Sequence, residues 1–281
     1  RGGNPAGVVL DADLLDRNAK QQIASRIGVS ETAFVSKSKV ADFKLEFYTP
    51  TRQIPHCGHA TIATFVFLVQ QGRIKSDRSS KETIDGNRDI ILVDDMAFME
   101  QTAPRYSALP EAGTEATFST VLSSLSLDTS DLLPGYVPIV VNTGNNFLIV
   151  PIKDQSVLAN LQPHFGAVES VSRELNLIGY YPFSLQTSVP GRHASARMFG
   201  PWYGIKEEAA TGMAAGPLAC YLYDYIGIKQ PRLIIEQGFL MDPPSPSEII
   251  VDLAIKENRI QGLMAGGRAK LMREMEIEIS E

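Results

Sequence analysis

A weak internal repeat constrains this chain more than any other feature, because a duplicated sequence dictates a duplicated fold. Gly3-Asn4 followed by Val8-Val9-Leu10 recurs as Gly144-Asn145 followed by Leu148-Ile149-Val150. Ile27-Gly28, placed to end a helix, recurs as Ile178-Gly179, and Phe47-Tyr48-Thr49-Pro50 recurs as Met198-Phe199-Gly200-Pro201. Cys57-Gly58-His59-Ala60-Thr61 then matches Thr211-Gly212-Met213-Ala214-Ala215. The matches keep their order and nearly constant spacing, which chance resemblance between short glycine strings does not provide.

Each half reads alike: a strand, a helix (roughly 15–27 and 168–178), further strands, a Gly-rich turn and a long apolar helix. Ile62, Ala63, Phe65, Val66 and Leu68 make the first such helix apolar all round, as Leu218, Ala219, Tyr221 and Leu222 do the second. Helices of that kind are buried. Gly72 and Gly227 close them. Strand-like alternation follows at Asp89–Val93, Arg232–Glu236 and Ile249–Ala254. The expected architecture is α+β, in two pseudo-symmetric domains. The first spans 1–108 and is completed by a C-terminal strand at about 268–281. The second spans 109–267. The polar, Pro-rich stretch Thr102–Glu115 reads as the link, and Asp242–Ser247 as an exposed loop. The turn-like opening at Gly2-Gly3-Asn4-Pro5 suggests that a strand precedes it.

With 26 basic and 32 acidic residues the net charge is −6. No basic stripe stands out, so a nucleic-acid partner is not expected. No apolar run reaches the length of a membrane span, and no signal peptide is visible. Two cysteines, Cys57 and Cys220, make no disulfide framework, so a reducing cytoplasm is the default compartment. His56, His59, His164 and His193 are scattered, with no carboxylate or cysteine recognised at metal-ligand spacing, so no metal site is expected. His56 reads as part of a solvated turn. Walker and Rossmann strings are absent.

The two Gly-rich helix starts carry the chemistry. Each offers first-turn amides and the positive end of a helix dipole, and small residues let a ligand approach the backbone. Gly58 and Ala60 in one copy, and Thr211, Gly212 and Met213 in the other, are therefore candidate contacts for a carboxylate. Glu31 stands alone in the apolar run Val29–Val35. Alternation favours solvent for it, while a cleft would hold it dehydrated. Its repeat partner is Pro182, so this carboxylate belongs to one half only.

Five strings go beyond spacing: Gly3-Asn4-Pro5-Ala6-Gly7-Val8, Ser30-Glu31-Thr32-Ala33-Phe34, Cys57-Gly58-His59-Ala60-Thr61, Arg197-Met198-Phe199-Gly200-Pro201, and Tyr203-Gly204 through Glu207-Glu208-Ala209-Ala210-Thr211-Gly212 to Ala215-Gly216-Pro217-Leu218. In this order they resemble the PhzF-like family of phenazine biosynthesis, of the diaminopimelate-epimerase-like fold. The resemblance covers nearly the whole chain. It implies two halves, each a curved, mostly antiparallel sheet or barrel wrapped round a central helix, with the active site between them in a homodimer. It also implies a cofactor-independent isomerase that shuttles a proton on a small carboxylate-bearing substrate, with Glu31 as acid/base and His59 beside it. Glu208 stands where the family usually has Asp, and Met213 where it usually has Ser. Both departures bear on specificity and point away from the phenazine precursor, an aminated dihydro-hydroxybenzoate.

On this reading burial, with Glu208 nearby, raises the Glu31 pKa, and the amides near Gly58 and Gly212 hold the anion. Related epimerases use two opposed cysteines. Cys57 lies where one such thiol would be and is a possible site residue, but Thr211 occupies the second position and Cys220 reads as core. A binding protein that kept the fold without full chemistry, and an amino-acid racemase, are the competing readings.

Overall fold

The structure, a computed structural model, describes residues 2–111 and 116–279. The chain forms two units. One holds Asn4–Glu100 together with the residues from Gly266 onward, the other Gln101–Ala265 with Gly2 and Gly3.

The first unit begins with β1 (Ala6–Val9) and α1 (Arg17–Ile27). Asp16 accepts the Ala19 amide to cap α1, and Gly28 ends it in the left-handed region at φ 68°. β2 (Glu31–Ser36) returns parallel to β1, with Ala6 opposite Glu31 and Gly7 opposite Thr32. β3 (Phe43–Tyr48) pairs antiparallel with β2, and the short β4 (Gln53–Ile54) turns back along β3. α2 (Gly58–Gln70) follows, then β5 (Arg78–Thr83), β6 (Gly86–Val93) and β7 (Met96–Thr102). α2 packs on β1, β2 and β6, while α1 packs on β2 and β3. Ala60, Phe65 and Leu68 of α2 are fully buried, as its all-round apolar sequence demands.

The second unit repeats the scheme. β8 (Arg105–Ala108) and α3 (Phe118–Ser124) lead to β9 (Ile139–Asn142) and β10 (Asn146–Pro151). After α4 (Gln155–Ala159) and α5 (Phe165–Glu174), β11 (Leu177–Ser184) runs parallel to β10, the same parallel pair that opens the first unit. β12 (Ala194–Ala196), β13 (Met198–Gly200) and β14 (Ile205–Glu208) precede α6 (Gly212–Tyr221). β15 (Arg232–Gln237), β16 (Ser247–Lys256) and β17 (Arg259–Arg268) complete the sheet. α6 packs on β9, β10, β15 and β16, and α5 on β11. Its core joins Leu218, Ala219 and Leu222 to Phe147, Phe183, Ile235 and Val251. The fold is the expected α+β class, with a buried helix against the sheet in each unit. Among the described residues no helix is long and apolar enough to cross a membrane.

Three local expectations are corrected. The stretch read as a link contains β8, which pairs with β9 from Arg105 opposite Asn142 to Ala108 opposite Ile139. Bracketed by Pro104 and Pro110, it is too short to show periodicity yet long enough to pair. Residues 112–115 of that stretch lie outside the described residues. The strand expected at about 268–281 ends at Arg268; residues 269–279 are irregular and mostly exposed, although Ile277 packs near Ile23, Phe34 and Tyr48. Residues 280 and 281 lie outside the described residues.

The third correction concerns the repeat. Gly28 caps a helix, but Gly179 lies inside β11, where a Cβ would stand 2.4 Å from the Phe199 carbonyl oxygen. Closeness to a neighbouring backbone, and no helix end, requires glycine there. Strand register makes Gly179 the counterpart of Thr32, since each lies opposite the second residue of its parallel partner. The position matching Glu31 thus falls at the start of β11, at apolar Leu177 and Ile178, and Pro182 is not its counterpart.

Gly179→Ala is expected to lower stability by about 1–3 kcal/mol through overpacking. Gly166→Ala, in the first turn of α5 with open space around its Cβ, should raise it by up to about 1 kcal/mol. Urea midpoints at unchanged slope read both signs.

Candidate active site

Local structure brings a strand start and a helix start together in the first unit. Glu31 is the first residue of β2, just after the Gly28 turn. β3 and β4 feed Pro55 and His56 into α2, whose cap residue Cys57 is extended at φ −147° and ψ 120° and makes no side-chain cap hydrogen bond. Because α2 packs on β1 and β2, its first turn comes up against Glu31. Nε2 of His59 stands 3.1 Å from Oε2 of Glu31, with the two side chains only 10% and 13% exposed. Sγ of Cys57 is 3.6 Å from Nδ1 and 3.9 Å from Nε2 of the same imidazole. Nδ2 of Asn4 lies 3.4 Å from Nδ1.

Alternation pointed Glu31 towards water; the helix start covers it instead. The expected rise in its pKa is also corrected. Burial pushes the Glu31 pKa up, but the hydrogen-bonding and charge of His59, with a smaller contribution from Ser30, more than offset it, and the net lies below the ordinary glutamate value. Glu31 is therefore an ionised carboxylate at neutral pH. Oε2 of Glu31 is buried 3.1 Å from Nε2 of His59. Of the other expected contacts, Gly58 and Ala60 both lie in the first turn of α2. Ala60 is fully buried.

Behind this turn is a buried amine that sequence reading missed. Lys81 of β5 is fully buried, donates to Thr61 Oγ1 at 2.7 Å, approaches Nδ1 of His56 at 3.1 Å and lies 5.3 Å from the Phe47 ring centre. The Thr61 hydroxyl in turn donates to the Cys57 carbonyl at 2.7 Å. Burial lowers the Lys81 pKa to about 7. Burial, then the charge of Lys81, holds His56 well below its usual value. His56 faces this amine and is no solvated turn residue.

In the second unit, the start of α6 is organised by Gln237, buried at the end of β15. Its Oε1 accepts from the Thr211 amide at 3.1 Å and from the Tyr181 hydroxyl at 2.8 Å. Its Nε2 donates to the Glu208 carbonyl and to Thr211 Oγ1. Thr211 Oγ1 donates to Glu208 Oε2 at 2.5 Å. Gly212 opens the helix, and Met213 packs partly buried against the core around α6. The only signal for Gln237 was a polar residue closing an apolar strand before Gly238. His164 and His193 serve local structure, bonding Ser126 and Gln230. Cys220 is fully buried, and burial raises its thiol pKa. A surface cavity of about 230 Å³ between Leu127 and Asn160 contains none of the residues named for chemistry.

Three donor groups of this site lie close together in space. Donor atoms of Glu31, Cys57 and His59 all lie within 4.8 Å of one another. A strand start and a helix cap supply them, a pattern that sequence spacing does not display.

The family profile described as phenazine biosynthesis-like protein matches residues 1–274. The chain belongs to this family. The protein named uncharacterized isomerase in Clostridium acetobutylicum is 33% identical over 226 residues, covering 78% of this chain and 74% of that protein. The trans-2,3-dihydro-3-hydroxyanthranilate isomerase of Pseudomonas chlororaphis is 30% identical, covering 86% of this chain and 83% of that protein. Among solved structures, the Bacillus anthracis phenazine biosynthesis protein of the PhzF family matches with a TM-score of 0.86 at 30% identity, over 99% of this chain and 95% of that one. The chain is an isomerase of the PhzF family.

Lys81 makes a pH-dependent contribution to stability. Its pKa is about 7 folded against 10.5 for the free side chain, so between these values the unfolded chain binds the extra proton. Stability then rises with pH, by up to about 1.4 kcal/mol per unit. Lys81→Met removes this dependence. Its stability advantage over the natural chain should be greatest below pH 7 and shrink towards pH 10, as read by urea unfolding at pH 7, 8.5 and 10.

Proposed function

We propose that the protein moves a proton on a small carboxylate-bearing metabolite without an organic cofactor, and that Glu31 is the acid/base. The observation that carries this reading is an ionised carboxylate almost removed from water, with an imidazole nitrogen 3.1 Å away. Such a group accepts a proton from a carbon activated by a neighbouring carbonyl or a conjugated system, then returns it at another carbon. His59 stands against the carboxylate, and Asn4 stands against the far nitrogen of that ring. The first-turn amides of α2, lacking acceptors within their own helix, lie where negative charge is stabilised. Catalysis gains because neither the amides nor the imidazole must reorganise as charge develops.

Thr211, Gly212 and the Glu208 carboxylate at the start of α6 are the remaining candidate substrate contacts. Met213 brings a thioether where a hydroxyl is usual in the family, and Glu208 is one methylene longer than aspartate. These differences favour a substrate other than dihydro-hydroxyanthranilate, the compound named for the Pseudomonas relative. A racemase with two opposed thiols is disfavoured, since Thr211 stands where a second cysteine would be needed and Cys220 is sealed in the core.

Deuterium wash-in tests the assignment. Incubated in heavy water with a panel of small carboxylates, the protein should place deuterium on carbon of its substrate. Glu31→Gln, with its circular dichroism unchanged, should slow that labelling by at least about 100-fold. Labelling that survives the substitution would remove Glu31 from the role of base.

A further inference from the structure

We propose that Glu31, Cys57 and His59 form a binding site for one thiophilic divalent cation, with Zn2+ the best match, and that occupancy switches off the proton transfer assigned to Glu31. The second half of this statement rests on the function proposed above; the first half does not.

The donor geometry is the argument. Zinc is held at about 2.0–2.3 Å by imidazole nitrogen, thiolate sulfur and carboxylate oxygen, usually as a tetrahedron. The edges of that tetrahedron are about 3.3–3.7 Å, from the same bond lengths. Here Nε2 of His59 is 3.1 Å from Oε2 of Glu31 and 3.9 Å from Sγ of Cys57, so both separations lie within a few tenths of an ångström of an edge. The three donors share one locus no wider than 4.8 Å. Three protein ligands leave the fourth position for water or a substrate oxygen, the composition of an open zinc site. A thiolate and an imidazole select zinc over magnesium or calcium, which prefer sets of oxygen ligands.

Charge and support also fit. Cys57 gives up its thiol proton to solvent on binding, and the resulting thiolate with the Glu31 carboxylate neutralises a divalent ion. With Nε2 on the metal the ring proton of His59 lies on Nδ1, and the Asn4 side-chain amide 3.4 Å away accepts it through its oxygen once the amide is turned over. Low exposure of all three side chains means that little order remains to be imposed. With its oxygen on the metal, Glu31 no longer accepts a proton from carbon.

Cobalt(II) provides the test, because it occupies zinc sites and reports its ligands. The full chain, stripped with a chelator, should bind one equivalent of Co2+ and show a thiolate-to-cobalt charge-transfer band with tetrahedral visible absorption. Zn2+ should displace it stoichiometrically. Cys57→Ala should abolish the charge-transfer band, and Glu31→Gln and His59→Ala should each weaken zinc binding at least tenfold. In the natural chain, saturating Zn2+ should protect Cys57 from alkylation, located by mass spectrometry, which needs no variant to fold. A missing band, a band that survives Cys57→Ala, or alkylation indifferent to zinc overturns the site. With the site confirmed, deuterium wash-in that continues at saturating Zn2+ overturns the inhibitory role. A catalytic base elsewhere, revealed by Glu31→Gln retaining activity, would leave the cobalt spectrum of the natural chain unchanged.

Discussion

Burial of α2 against β1 and β2 is the constraint on which the first unit's chemistry depends. The helix is apolar on every side, so its position follows from removing hydrocarbon from water and tolerates little slack. Its first turn is delivered with it. The imidazole of His59 arrives beside Glu31 because helix and strand are already packed. A loop could bring the same residues together only by ordering itself, at an entropic cost the scaffold has already met.

That arrangement explains why Glu31 is ionised although dehydrated. Loss of water opposes the charge, and a neighbouring imidazole restores it. The outcome was not legible in the sequence, since strand alternation records only the parity of side chains and says nothing of a helix that covers one of them. The same blindness hid the donor cluster. Glu31 and His59 lie on different elements, and the Cys-Gly-His string looks like a tight turn until the strand is beside it. Lys81, in a strand of mixed polarity, gave no hint that its amine sits under the helix start.

The larger design was more accessible. Apolar residues all round two helices announced two buried helices, and the order of the repeated strings announced two similar units; that each opens on a parallel strand pair came only from the structure. The finer correspondence failed at Gly179, because glycine serves two unrelated needs: a left-handed helix end at Gly28 and close backbone approach in β11. Matching letters do not distinguish these causes. Register does, and it leaves the carboxylate of β2 opposite apolar positions in the other copy, so the duplication has kept the frame and differentiated the chemistry.

The way the chain is divided between its units has a consequence for mutation. Gln101–Ala265 is nearly continuous, lacking only Gly2 and Gly3, whereas the unit carrying Glu31, Cys57 and His59 also draws on residues from Gly266 onward. The residues from Gly266 onward follow the whole of Gln101–Ala265 in sequence, so the unit that carries the carboxylate, thiol and imidazole is assembled from both sides of the other. A change to the chain near Gly266 therefore bears on the unit that holds Glu31, far away in sequence.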